Sequence, residues 1–466
     1  MAIASIERQP ALVGTPKAIY PPRVVPPKQP QHPVMFAANF LRNPLASIPE
    51  AVYEQDLVAY TRGSVPLVWI TDPDYIKTVM LDARNDFSKE TQRRTLGQVL
   101  GNGILIAEGA DWKWQRQASA PMFRHQDLMA FVPPIVEATE HYVAGLSHLP
   151  TGERRRIDAD MTRVTFDVIS ATLLPGGNED AEAIIERSTG RFQNASAWML
   201  LFALAKVPAW VPRPGTKSGR ASIKTLRTAV LGLIGRRRAM AAPPDDLMQR
   251  LMNSSNPETG QRMSDEQLID NLLTFYLAGH ETTAKALTWT LYLLSRAPEW
   301  DARLVEEVRR VAGSGPVRAE HIDKLVLTQQ VLKESMRLFP PAPLFSRTAL
   351  KDCAFGPHRV KAGTQVIMPI YAIQRHRKYW TDPDRFDPSR FEPEKEAKIS
   401  RYHYMPFGAG PRICIGMAFA MIEATAILAT LVRAARFESD ARHKPQPLAR
   451  VTLVPKGGMP MHVTRR

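Results

Sequence analysis

Between residues 111 and 340 apolar side chains recur every three to four positions almost without a break, the spacing that presses one face of an α-helix against a core. The longest such run opens at Ser264, where Ser-Asp-Glu-Gln sets a capping box with Gln267 three residues on. It continues through LIDNLLTFYLAGHETTAKALTWTLYLLSR to Arg296, ahead of Pro298. At 1.5 Å per residue this predicts a helix roughly 48 Å long, enough to cross the molecule, and its apolar content demands central burial. Upstream, SVPLVWITDPDYIKTVML predicts a strand and then a helix capped by Asp72 with Pro73 at its first position. Downstream come a mixed stretch from Ala342 to Ile373 containing the strand TQVIMPI, a Pro/Asp-rich coil YWTDPDRFDPSRFEP, a last helix beyond Cys414, and a hairpin in VTLVPKGGMPMHV. No internal repeat is present.

The N-terminus breaks the pattern. Prolines at 10, 16, 21, 22, 26, 27, 30 and 33 predict a stiff, extended lead-in over residues 1–33, followed by one domain over 34–466. The lead-in lacks the ~20 apolar residues that span a bilayer and the short apolar core of a secretory signal. The chain therefore reads as cytoplasmic, with no transmembrane segment. Two cysteines, Cys353 and Cys414, exclude a disulfide framework and a zinc site built mainly from Cys, and suit a reducing compartment. The net charge of +15 is scattered, with short runs at Arg154 to Arg156 and Arg236 to Arg238 and no nucleic-acid motif. It describes a solvated basic surface or a dock for an acidic protein, and no nucleic acid is expected.

Chemistry concentrates in FGAGPRICIG, Phe407 to Gly416. Gly408, Gly410 and Gly416 remove side chains, so that a large flat group could approach the main chain. Cys414 precedes a helix whose positive N-terminus, with Arg412 two residues away, favours a thiolate. The residues alone leave three readings of Cys414: a metal-bound thiolate, a buried structural cysteine, or a nucleophile with His403 as its base. Glu334 and Arg337, in VLKESMRLFP, lie three apart on an apolar helix and by themselves are an ordinary ion pair. In AGHETT, Ala278 to Thr283, Gly279 weakens the helix and Thr282 can bond the Ala278 carbonyl, opening the ladder to water beside the acid Glu281. Such a pair can relay protons; equally, Thr282 and Thr283 can be packed β-branched residues, and His280 reads as structural. WKWQR places Trp112 and Arg116 on one helical face.

The loop fills every position of F-G-x-G-x-R-x-C-x-G, and with the ordered matches from residue 112 to 416 the chain resembles the cytochrome P450 superfamily of haem-thiolate monooxygenases. The AGHETT variant is similar to the eukaryote-like, fatty-acid-hydroxylating branch of the soluble bacterial enzymes. The resemblance implies a mainly α fold with a smaller β-rich part, and haem b between the Ser264–Arg296 helix and the Cys414 loop. Cys414 would be the metal ligand. Phe407, Gly408, Gly410, Arg412 and Gly416 would line the cofactor on one side, Ala278 and Gly279 on the other. Trp112, Arg116, Arg412 and Arg347, the last in PLFSRTA, would meet its propionates. Glu281 and Thr282 would be the catalytic acid and alcohol. Glu334 and Arg337 would join Arg390 of Pro388-Ser389-Arg390-Phe391 in a buried network, Ser389 standing where the family usually has an acid.

The same resemblance implies O2 as oxidant and electrons from NAD(P)H, delivered by an acidic ferredoxin or flavodoxin with its reductase and docked near Lys113, Arg116 and Arg124. The expected substrate is small and apolar, with a lean to fatty acids or terpenoids. Its pocket is expected to draw on Leu96 to Ile106, on WMLLFALAKVPAWVP from Trp198, on Phe275 and Tyr276, on Leu344 and Phe345, and on the PKGGM turn. A peroxide-using or isomerising relative and a non-catalytic haem sensor are the competing expectations.

Overall fold

The long helices are α1 (Pro33–Arg42), α2 (Glu90–Leu100), α3 (Gly109–Ser119), α4 (Val132–Leu146), α5 (Ile157–Thr172), α6 (Thr216–Arg238), α7 (Asp265–Arg296), α8 (Pro298–Ala312), α9 (Val326–Leu338) and α10 (Met417–Ala434). They belong to a computed structural model that describes residues 18–29, 31–60, 66–146, 150, 152–172, 199–203, 207, 211 and 216–466.

The capping box that opens α7 forms as its sequence dictates: Gln267 N donates to Ser264 Oγ at 3.2 Å, and Ser264 N donates to Gln267 Oε1 at 3.0 Å. The helix runs unbroken for 32 residues through the core. Trp289 stacks on Phe339, just beyond α9, with ring centroids 4.0 Å apart, and donates its indole N–H to Leu453 O at 3.0 Å. Burial of large apolar side chains of this kind contributes about 2 kcal/mol each. Between Leu268 and Leu294, only Leu277, Ala278, Gly279 and Thr282 escape full burial. A helix otherwise immersed in protein thus shows one bare patch at its middle.

The β-rich part has a five-stranded sheet in the order β1 (Leu57–Tyr60), β2 (Leu67–Ile70), β8 (Gln365–Met368), β5 (Phe345–Ala349), β3 (Phe87–Ser88), in which only β2 and β8 run parallel. Asp72 caps the helix that starts at Pro73, its carboxylate accepting from the Asp74 and Tyr75 amides at 2.9 and 3.1 Å. A two-stranded ribbon joins β6 (Cys353–Phe355) to β7 (His358–Val360).

The hairpin expected near the C-terminus does not form. β11 (Leu453–Lys456) pairs with β10 (Gln446–Ala449), whereas β12 (Pro460–Arg465) lies between β4 (Glu153–Arg156) and β9 (Ala435–Ser439). Gly457 and Gly458, both with φ of +81°, turn the chain from one sheet into the other. The alternating pattern located both strands; the partners came from distant segments.

Residues 18–29 are extended, in keeping with their prolines, and they are tied to the body. Phe386 N donates to Ile19 O, Val24 N to Tyr371 Oη and Glu50 N to Pro27 O, and Arg23 pairs with Asp384 at 3.1 Å. Among the described residues one helix, α10, is long and apolar enough to cross a membrane, and 67% of it is buried inside the fold.

Candidate active site

The Cys414 loop is closed by its own backbone: Cys414 N donates to Phe407 O at 2.9 Å across the six residues between them. Gly410 has φ of +66°, and a Cβ built there would stand 2.2 Å from Met80 O, so only glycine lets the loop lie against the chain near residue 80. Gly408 also requires its left-handed backbone, φ +77°. Gly416 differs, with φ of −88° and only the Phe123 ring within ordinary contact of a built Cβ; its bareness serves no packing among the described residues and leaves open surface beside Cys414.

Cys414 is a free thiol that retains accessible surface although protein encloses it. Enclosure pushes its pKa up from the ordinary thiol value, against the Gly416 N–H and the Arg116 charge, which pull it down. The cation that acts on the sulfur is Arg116, where the sequence pointed to Arg412. Arg412 instead donates to Ala107 O at 2.6 Å and lies 3.9 Å over the Trp112 ring. A metal bound at the sulfur would hold it as the thiolate, since coordination releases the thiol proton. His403 does not serve it as a base: its ring stacks on Tyr379 at 3.7 Å, burial pushes its pKa down to about 4, and it makes no hydrogen bond to Cys414.

Around the loop stands a group of cations without acids. Arg116 donates to Ile413 O at 3.0 Å, and Arg347 donates to Ser346 O at 2.8 Å. Burial lowers the pKa of Arg116, Arg347 and Arg412, the last two to about 10. Lys89, which the sequence reading missed, joins them. Its ammonium reaches Leu105 O at 2.5 Å and is pushed well below the usual lysine range by burial and then by Arg347 and Arg412. None of the four forms a salt bridge among the described residues, and Glu108 is the single carboxylate acting on Lys89, Arg347 and Arg412. Several desolvated cations with so little compensation fit a ligand carrying two carboxylates of its own. With a soft sulfur donor on the adjoining loop, the donor set fits haem: Cys414 would hold the iron and Arg116, Arg347, Arg412 and Lys89 the propionates. Trp112 would contribute by stacking on Arg412.

The bare patch of α7 would supply the other wall: Phe275, one turn before Ala278, stacks on Phe123, whose ring lies beside Gly416. Ala278 is exposed, and Thr282 Oγ1 donates to Ala278 O at 2.8 Å. A Cβ on Gly279 would meet Ile169 Cδ1 at 2.7 Å, so its missing side chain is explained by packing against α5, while its backbone belongs to the patch. Tyr276, stacked on Phe166 of α5 at 6.1 Å, and Phe275, stacked on Phe123 at 6.0 Å, are buried in packing and do not open onto the patch. His280 is structural as expected, its Nδ1 bonded to Tyr276 O. Glu281 is buried, with Thr452 Oγ1 donating to its Oε1 at 3.1 Å and Lys285 Nζ 3.4 Å from the same oxygen. In the PKGGM turn Met459 is buried and its amide is held by Asp158. Of the stretch from Trp198, only 199–203, 207 and 211 fall within the described residues.

Behind the loop, Glu334 and Arg337 are completely buried and paired through two bonds, Nε to Oε2 at 2.7 Å and Nη2 to Oε1 at 2.8 Å. Arg337 spends its remaining donors on Gln374 O, Pro383 O and Arg385 O, and Glu334 accepts from Asp387 N. Arg390 stands 3.6 Å from Glu334 and bonds Thr381 O and Asp382 O, so the coil is sewn to α9 as expected. Asp387 caps the turn at Pro388, its Oδ1 accepting from Ser389 N at 3.1 Å and from the Ser389 hydroxyl at 2.6 Å. A second missed residue is Glu423 of α10. It is fully buried, with the Thr283 hydroxyl offsetting its desolvation only in part, and burial pushes its pKa up to about 8. An isolated acid in the apolar run MIEATAILAT was the available signal.

A glycine-rich cysteine loop, a bare patch on the central helix and four desolvated cations without salt bridges among the described residues together fit a haem-thiolate protein. The chain belongs to the cytochrome P450 family, whose profile matches residues 26–461. The haem domain of cytochrome P450DA superposes with a TM-score of 0.81 at 25% identity, covering 95% of this chain and 98% of that one. Two plant proteins are similar in sequence. A cytokinin hydroxylase of Arabidopsis thaliana is 32% identical over 85% of this chain and 78% of its own length. An 11-oxo-beta-amyrin 30-oxidase of Medicago truncatula is also 32% identical, over the same shares. The protein is a monooxygenase of this family.

Proposed function

We propose that the protein hydroxylates a C–H bond of a small apolar molecule held against Ala278 and Thr282, using O2 and electrons from NAD(P)H delivered by a separate acidic carrier. The carrying observation is the accessible Ala278–Thr282 patch in an otherwise buried helix. Haem supplies dioxygen binding and one-electron chemistry. The protein's part is to bind, orient and deliver protons. Cys414 anchors the iron, Arg116, Arg347 and Arg412 fix the propionates, and Ala278 gives a flat apolar contact. Thr282 holds its proton on Ala278 O and must release that bond to donate elsewhere. The presence of both acid and alcohol, Glu281 and Thr282, favours oxygenation over peroxide use or isomerisation.

Fatty acids and terpenoids are the substrate classes put forward; the oxidation of 11-oxo-beta-amyrin named for one relative supports the latter. Two free thiols suit a reducing, cytoplasmic setting. For the electron carrier, Lys113 and Arg124 are exposed, Lys113 in a solvent-facing pair with Glu258 at 3.7 Å, whereas Arg116 is committed to Ile413 O and drops out of the docking surface. An acidic ferredoxin or flavodoxin, with its reductase, fits this face, and its reduction of the protein should slow as salt rises.

The deciding test is the absorption spectrum of the reduced, CO-bound protein beside Cys414→Ser. A strongly red-shifted Soret band lost in the variant supports the reading. A band typical of histidine-ligated haem in a folded parent overturns it. Substrate-induced spin-state shifts then separate fatty acids from terpenoids, and absence of turnover with competent carriers would favour a sensor.

A further inference from the structure

The chain between α2 and α3, Gly101 to Glu108, places two glycines against one acid of α7. A Cβ built on Gly101, whose φ is +54°, would stand 2.1 Å from Asp270 Oδ1, and one on Gly103 would stand 2.6 Å from Asp270 O. Only bare backbone comes this close. Asp270 is nearly sealed from solvent; its Oδ2 accepts from Asn102 N at 2.7 Å and its Oδ1 from Arg227 Nη1 of α6 at 2.7 Å. The next residue, Asn271, accepts from Ile104 N at 3.0 Å, and Gln115 of α3 donates to Asn102 O at 3.0 Å. The first half of the loop is therefore clamped by buried and charge-assisted bonds, the kind whose loss costs most. The second half meets the cofactor cations. Gly103 O accepts from Ile106 N and Ala107 N at 3.0 and 2.9 Å, so a shift at Gly103 moves the carbonyls beyond it. Two of those carbonyls hold cations: Leu105 O accepts from Lys89 Nζ at 2.5 Å and Ala107 O from Arg412 Nη1 at 2.6 Å. Glu108 closes the loop by accepting from Lys89 N at 2.6 Å.

We propose that Asp270 is a positioning residue for the haem edge: by holding Asn102 N and Arg227 it fixes loop 101–108, whose carbonyls set where Lys89 and Arg412 present their charges to the propionates. This rests on the reading of these cations as propionate partners. Desolvated charges act strongly at short range, so a small displacement of the loop changes the field at the haem. Cations beside the haem favour its ferrous form, which carries one positive charge fewer. A loop released from Asp270 lets those cations drift, and the protein becomes harder to reduce. Because Arg227 and the loop share one carboxylate, movement of α6 also reaches the cofactor edge by this route.

The test uses the haem-loaded protein and the variants Asp270→Ala and Asp270→Asn, the first also combined with Lys89→Met or with Arg412→Gln. Hydrogen–deuterium exchange reads the amides of residues 101–108, and spectroelectrochemical titration reads the ferric–ferrous midpoint; neither needs turnover. In Asp270→Ala the loop amides should exchange several-fold faster, and the ferrous fraction at a fixed potential near the parent's midpoint should fall several-fold. Asp270→Asn, whose side-chain carbonyl still reaches the Asn102 amide, should stay close to the parent in both readings. The fall should shrink in each of the Lys89→Met and Arg412→Gln backgrounds, as expected of residues that act through one another, whereas a merely structural Asp270 would leave the midpoint where it is. If Asp270→Ala does not fold, Asp270→Ser, too short to span both partners, carries the same measurements. An unmoved midpoint in the folded variant, or a fall of the same size in both backgrounds, overturns the proposal. A missing thiolate signature in the CO spectrum of the parent would instead sink the functional reading, so the two failures are told apart.

Discussion

Replacing Glu423 with Gln should make the protein more stable, and increasingly so as pH rises. In the folded chain this carboxyl is fully buried, and the Thr283 hydroxyl, which also donates to Gly279 O at 3.3 Å, offsets its desolvation only in part. Burial raises its pKa from 4.5 to about 8. The unfolded chain therefore ionises first: between pH 4.5 and 8 the native state binds the extra proton, and stability falls as pH increases. Below 4.5 both states are protonated and the full stability is present; above about 8 both are ionised and the loss is complete. Each unit of separation is worth ~1.4 kcal/mol, so the loss reaches about 3 kcal/mol at pH 7 and about 5 at its limit. Gln cannot ionise, so Glu423→Gln removes this slope. A buried amide short of partners carries a penalty of its own, but one that displaces the curve without tilting it. Urea midpoints of the haem-loaded parent and variant, taken across this pH range, read the difference. Curves that stay parallel would show that Glu423 titrates alike in the folded and unfolded states and would refute the argument.

Three other outcomes follow from the site. Thr282→Ala should uncouple the reaction, lowering product formed per NAD(P)H consumed, while the CO-bound spectrum stays unchanged; a preserved ratio removes Thr282 from proton delivery. Arg337→Met strands Glu334 in the core and should cost about 3 to 5 kcal/mol in unfolding free energy, measured by denaturant titration, with a loss under 1 kcal/mol contradicting the buried network. Gly410→Ala forces a Cβ onto Met80 O and a strained φ, so it should abolish haem retention after gel filtration, whereas Gly416→Ala, which meets no protein backbone, should fold and lose haem affinity only.

The sequence by itself determined the elements and the donors. Helical periodicity and the Ser264 box set the span of α7, because capping and amphipathicity are local. Gly408 and Gly410 around Cys414 specify a left-handed backbone that other residues rarely adopt, and the match of motifs pointed to the family. What the tertiary structure decided was which residues meet. Gly279 packs on Ile169, Arg412 lies over Trp112 instead of beside the sulfur, and β11 and β12 part into different sheets. Lys89 joined Arg347 across 258 positions of chain, and Lys285 closed on Glu281 with partners from α5 and the turn before β11. Motif spacing carries no information on such pairs. Desolvation and charge act through space, so the worth of a buried cation or acid depends on neighbours that only the folded chain assembles.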